Sequence, residues 1–109
     1  MKITVNHADF DRQTGEVLGY TPVALVNAVD INNVNEALEY AWRYTNNVDG
    51  SWSMKIGSDA NDNVTVLADL PVSKRTGNTM GLRSSMMGDR FEIDGVEYKV
   101  AIAGFKEVV

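Results

Sequence analysis

"DRFEIDGVEYKVAIAGF" (residues 89–105) decides the fold. Apolar and polar residues alternate on both sides of Asp94-Gly95, with Phe91 and Ile93 before it and Val96, Tyr98, Val100 and Ile102 after it. Alternation of period two turns one side of a strand inward. A two-residue Asp-Gly link favours a type I′ turn, because both central residues of that turn need positive φ. The spacing therefore predicts a β-hairpin over residues 90–103. Gly88-Asp89 reads as a turn or strand start, and Gly104 as a bulge or bend.

Outward from the hairpin, "NNVNEALEYAWRYTNN" (32–47) carries Val34, Ala37, Leu38, Ala41, Trp42 and Thr45 at three- and four-residue spacing, the apolar stripe of an amphipathic helix. Asn33 and Glu36 form a capping-box-like start, and Asn46-Asn47 with Asp49-Gly50 end it, so the helix is placed at 33–46. Trp42 is expected to pack into the sheet. "KITVNHA" alternates Ile3 and Val5 and predicts a first strand. "VALVNAVDI" (23–31), a continuous apolar run after Pro22, predicts a buried central strand. "NVTVLADL" (63–70) predicts another. Residues 48–63, with room for one short strand, and residues 73–88 read as two long loops, and loops of that length tend to be functional or mobile. The expected fold is α+β: one domain, 1–109, with an antiparallel sheet of about five to six strands and one amphipathic helix packed on a face.

Composition narrows the chemistry. The chain has 109 residues and no cysteine, which removes disulfides, thiolate metal sites and cysteine nucleophiles. "MKITVNHADF" lacks the apolar run of a signal peptide, and no stretch reaches the roughly 18 apolar residues of a membrane helix, so a cytoplasmic location away from membranes is expected. The net charge of −5 argues against general affinity for nucleic acid. Residues 1–70 hold ten acids and four bases, but residues 71–109 hold five acids and six bases. The densest basic stretch is Lys74, Arg75, Arg83 and Arg90, which reads as a solvated loop or as a contact patch for an acidic partner.

No catalytic or metal constellation is legible. His7 is the single histidine, and nothing in the sequence places a serine beside it. "DANDN" (59–63) alternates Asp59, Asn61 and Asn63 but lacks the glycine and terminal glutamate of a calcium loop, so turn chemistry explains it better. "TGNTMG" (76–81) has no Gly-Lys-Ser/Thr continuation and is not a phosphate loop. "NVT" (63–65) matches a glycosylation pattern, and fifteen acids could pair in space without any pattern showing it. Neither a cofactor nor a metal is expected. Trp52 stands outside any periodic face, as a packed lid residue or a contact residue in equal measure. Met80, Met86 and Met87 flank Arg83 in the second loop, which suits an adaptable protein contact and, equally, a loop folded back over the core.

Two blocks resemble a known family. Arg83-Ser84-Ser85-Met86-Met87-Gly88-Asp89, Asp94-Gly95, Tyr98, Val100, Gly104-Phe105 and Glu107 are similar to the C-terminal pattern R-S-x-S-V-G-D … D-G-x-x-Y-x-V … G-F-x-E of small phage and mobile-element accessory proteins, the YodL-like block. "EALEYAWRYTNNVDGSWS" is similar to a stretch in those proteins where a helix leads through T-x-N-I-D-x-S-W to a tryptophan. Ser85-Met86-Met87 replaces their Ser-Val-Gly-type sequence, and Arg90 stands where an apolar residue is usual. The resemblance implies a phage accessory protein rather than an enzyme. The expected function is binding of a host protein, as a host-takeover or anti-defence factor, by a monomer or homodimer. The expected contact residues are Trp52, Lys74, Arg75, Arg83, Met86 and Arg90. The alternative is a nucleic-acid- or nucleotide-binding module using the basic loop 74–90, with a small enzyme built on His7 and acids as a third reading.

Overall fold

The computed structural model describes residues 1–109. In chain order the elements are β1 (Lys2–Phe10), β2 (Val17–Asn27), α1 (Val34–Tyr44), a single 3₁₀ turn at Gly57–Asp59, β3 (Val64–Val66), β4 (Arg90–Ile93), β5 (Val96–Val100) and β6 (Phe105–Glu107). The strands form one six-stranded sheet in the order β3-β2-β1-β4-β5-β6, every neighbouring pair antiparallel. The fold is α+β. No helix is long and apolar enough to cross a membrane.

The hairpin forms where the alternation places it. Phe91 pairs with Tyr98 and Ile93 with Val96, and the link residues Asp94 and Gly95 take φ of 50° and 82°, as a type I′ turn demands. The second strand ends sooner than the alternation suggests. Ala101 N–H donates to Gly104 O across a tight turn, Gly104 adopts φ of 74°, and the chain returns as β6. Ile102, read as part of the inward run, sits in that turn and is 93% exposed.

The helix starts as its cap predicts, with Asn33 Oδ1 accepting from the Glu36 amide. Ala37, Leu38 and Ala41 are fully buried in one apolar cluster with Ile3, Val5, Val26, Phe91 and Ile93 of the strands. In β1 and β2 burial follows register: Ile3 faces Val26 and Val5 faces Ala24, all four fully buried. Trp42 is only half-buried at the margin of this cluster.

The strand expected at 23–31 lies at 17–27 instead. Its first half pairs with β1 alone, because β3 reaches only Ala24–Val26, and residues 17–22 are mostly exposed. Register slips against β1 fall between Val5 and Asn6 and between Asp9 and Phe10, and the first lies beside Pro22, which has no amide to give a ladder. The run then leaves the sheet at Ala28, and Asp30 turns the chain with φ of 62°. Likewise the strand expected over 63–70 shrinks to Val64–Val66.

Gly95→Val tests the hairpin. Nothing lies within 4 Å of a Cβ added at Gly95, so steric contact costs nothing there. The expected loss of about 1–3 kcal/mol in denaturant unfolding comes from holding a β-branched residue at positive φ alone.

Candidate functional site

The β1–β4 ladder covers only Thr4–Asn6, and β4 begins at Arg90. Two positions further along β1, at Ala8, side chains take over from strand. Asp89, fully buried, accepts the Ala8 amide on Oδ1 at 2.8 Å, and Arg83 Nη2 donates to Ala8 O at 3.0 Å. The two side chains join through two parallel bonds of 2.8 Å, and the Met86 amide donates to Asp89 Oδ2 at 2.7 Å. Burial alone would raise the Asp89 carboxyl. The Arg83 guanidinium and the Ala8 and Met86 amides outweigh it and hold the group below the usual carboxylate range.

His7, two residues past Val5 on the buried side of β1, meets the same segment. Its Nε2 lies 3.0 Å from Ser85 Oγ and 3.8 Å from Asp89 Oδ2. Histidine, serine and aspartate therefore converge, as the sequence alone does not show, but not in the arrangement of a hydrolytic triad. In a triad the carboxylate holds one ring nitrogen and the serine hydroxyl donates to the other. Here both approach Nε2. Proton directions run the wrong way as well. Thr45 Oγ1 donates its one hydrogen to Ala41 O at 2.7 Å, so it accepts from Ser85 Oγ, also at 2.7 Å. Ser85 can then only accept from His7, and Nε2 must carry the proton. A ring nitrogen in that state cannot activate Ser85. Burial pushes the His7 pKa down from 6.5 to about 4, against the pull of Asp89, so the ring is neutral at pH 7.

The same segment is tied to the first long loop. The Asn47 amide donates to Ser84 Oγ at 2.8 Å, and Asn47 Oδ1 accepts the Trp52 amide at 3.0 Å. Trp52 Nε1 donates to Arg83 O at 3.0 Å, and the Leu82 amide donates to Ser53 Oγ at 2.8 Å. Asp59 closes the loop on itself. Its Oδ2 accepts the Val48, Asp49 and Gly50 amides at 2.7–2.9 Å, and its Oδ1 accepts Arg43 Nη1 at 3.0 Å. The Gly50 amide, then the Asp49 amide, Arg43 and the Val48 amide, hold this carboxyl below its ordinary value against the opposing effect of burial. Both oxygens already serve protein donors, and nowhere do three His, Asp or Glu side chains gather as metal ligands would.

The open concavities lie elsewhere, around the turn Ala101–Gly104. One hollow of about 410 Å³ is bounded by Glu39, Trp42, Val100, Phe105 and the turn. Another of about 560 Å³ is bounded by Met87, Lys99, Lys106 and the other side of the same turn. Ile102 stands between them.

The residues expected to make contacts scatter. Trp52 is fully buried, which corrects its reading as a contact residue: its indole fills the core and its N–H is used. Arg83 is 37% exposed in its side chain, but its guanidinium is committed to Asp89 and Ala8. Arg90 pairs with Glu97 at 3.0 Å and lies over the Tyr20 ring at 4.6 Å. Lys74 and Arg75 are exposed at a loop tip that Ser73 and Asn78 close, and neither forms an ion pair. Met86 is exposed beside Met87. The four bases thus form no common patch of free charge. Ile102, Lys99 and Lys106, which border the hollows, are not among the expected contact residues, since alternation assigned the first to the core and the others stand apart in sequence.

No family model matches the sequence, and no curated protein and no solved structure matches it either.

Two measurements check this arrangement. Trp52→Ala should cost about 3–5 kcal/mol as a large core truncation, whereas Trp42→Ala should cost about 1–2 kcal/mol because only part of its ring leaves water; equal losses by chemical denaturation would contradict the assignment. His7, with its folded pKa depressed, contributes stability that is full above the unfolded value of 6.5 and lost as pH falls toward about 4. Urea midpoints should therefore decline between those values, and His7→Gln, whose amide N–H still reaches for Ser85, should flatten that part of the profile.

Proposed function

We propose that this chain is a phage or mobile-element accessory protein that acts by binding a host protein in the host cytoplasm, as a monomer or homodimer, rather than by catalysis. One observation carries the reading: Ile102 stands 93% exposed on a turn closed by the Ala101–Gly104 hydrogen bond, between two hollows. A branched apolar side chain held out on a fixed corner gains only when a partner removes it from water. Met86 and Met87, both exposed nearby in sequence order before β4, add flexible apolar surface that suits a protein contact. In this reading α1, amphipathic by its spacing, covers one face of the sheet, and the partner engages the end of the sheet beside it.

The resemblance of residues 83–107 and of the helix-to-Trp52 segment to phage accessory proteins supports the setting. The nucleic-acid reading is the weaker one. Of Lys74, Arg75, Arg83 and Arg90, only the first two keep their charge free of an internal ion pair, and a net charge of −5 repels a phosphate backbone.

Ile102→Glu tests the proposal. Immobilised wild-type protein should retain a specific host protein from lysate that the variant releases, while both melt at the same temperature, because the side chain makes no core contact. Equal capture by the two proteins would count against the turn, and salt-sensitive retention of DNA would count for the alternative.

A further inference from the structure

Lys99 and Lys106 sit directly opposite each other on β5 and β6, and Arg90 is opposite Lys99 on β4. Three bases thus occupy one cross-strand row in a chain whose net charge is −5. Like charges directly opposite in an antiparallel pair destabilise it. Arg90 is relieved by Glu97 and by the Tyr20 ring. The two lysines are not: both are exposed, and no carboxylate lies within ion-pair distance of either. Both also border the hollow of about 560 Å³ whose other walls are Met87, Gly88 and the Ala101–Ala103 backbone and side chains. An unrelieved pair of ammonium groups beside an apolar recess complements one chemistry, a carboxylate next to an apolar side chain.

Resting on the binding function proposed above, we propose that this hollow receives an acidic linear segment of the partner protein. A carboxylate of the segment lies between the Lys99 and Lys106 ammonium groups, and a neighbouring apolar side chain enters the recess against Met87 and Ile102. Two point charges on flexible stems suit a single carboxylate, whereas tracking a nucleic-acid backbone takes a longer basic groove. The apolar recess adds affinity that a polyanion lacks the side chains to use.

The test is a titration of the isotope-labelled protein with a synthetic peptide alternating aspartate or glutamate with leucine, followed by backbone amide shifts. Saturable shifts confined to residues 87–88 and 99–106 are expected. Replacing the acids by lysine should abolish them, and replacing the leucines by serine should weaken binding about tenfold. In the protein, Lys99→Glu with Lys106→Glu should weaken binding by about tenfold or more, and the milder Lys99→Gln with Lys106→Gln should do so with the spectrum otherwise unchanged. Binding that survives both double variants, shifts centred elsewhere, the absence of any shift, or equal binding of an oligonucleotide to the same amides would each overturn the proposal. The two readings fail separately. Host-protein capture that needs Ile102 but not the lysines would leave the binding function standing and remove the acidic segment. Peptide binding at the lysines with host-protein capture lost in neither the lysine nor the Ile102 variants would remove this hollow as the partner's contact and overturn the proposal.

Discussion

The buried carboxylate of Asp89 is the constraint on which the other parts of this molecule depend. The β1–β4 ladder ends before Ala8, and a backbone amide and carbonyl left there without partners would each lose the hydrogen bonds water gives them. Asp89 accepts the amide, and Arg83, locked to Asp89 through two bonds, donates to the carbonyl. An ion pair thus continues the sheet where strand is lacking. Removing one partner of a buried pair costs about 3–5 kcal/mol, with the low end expected here because Arg83 is partly exposed and two amides still serve the carboxylate.

That pair also dictates the path of the chain from Leu82 to Arg90, and the path brings two distant segments together. Ser84 and Ser85 meet Asn47 and Thr45 at the end of α1, while the Arg83 carbonyl receives the Trp52 indole. The segment from the end of α1 to Ser53 and the segment Leu82–Asp89 are therefore the two sides of one polar seam. Thr45, Asn47, Trp52, Arg83, Ser85 and Asp89 serve that seam, and their hydrogen-bonding groups are taken up by partners within the protein. A pattern with a serine, a histidine and an aspartate in contact invites a catalytic reading, but the hydrogen bonds run from His7 through Ser85 to Thr45 and end on the Ala41 carbonyl. The chemistry of the seam is cohesion.

What remains for contact is the surface the seam does not use. With Arg83 and Arg90 committed internally, Lys2, Arg12, Lys74, Arg75, Lys99 and Lys106 are exposed and form no ion pair, and of these only Lys99 and Lys106 adjoin a concavity. The turn at Ala101–Gly104, held by its own hydrogen bond, presents Ile102 between two hollows. The proposed contact surface is thus an apolar corner with a basic rim, carried on an interior tied by hydrogen bonds.

Local chemistry determined the hairpin and the helix start, since each depends on residues a few positions apart. Asp94-Gly95 needs positive φ at both positions whatever surrounds it, and Asn33 caps α1 through an amide three residues away. The extent of β2 was not legible, because residues 17–22 pair on one side only and carry no alternating burial. Nor was the difference between the tryptophans. Trp42 lies on a periodic helix stripe yet stays half-exposed at the margin, whereas Trp52, in an aperiodic loop, is fully buried with its indole N–H on the Arg83 carbonyl. The role of Asp89 was equally hidden, its partners Ala8 and Arg83 being separated from each other by 75 positions. Long-range partners leave no period in a sequence. Only the folded sheet, by stopping its β1–β4 ladder short of Ala8, decided which charges would be buried as structure and which would be left exposed.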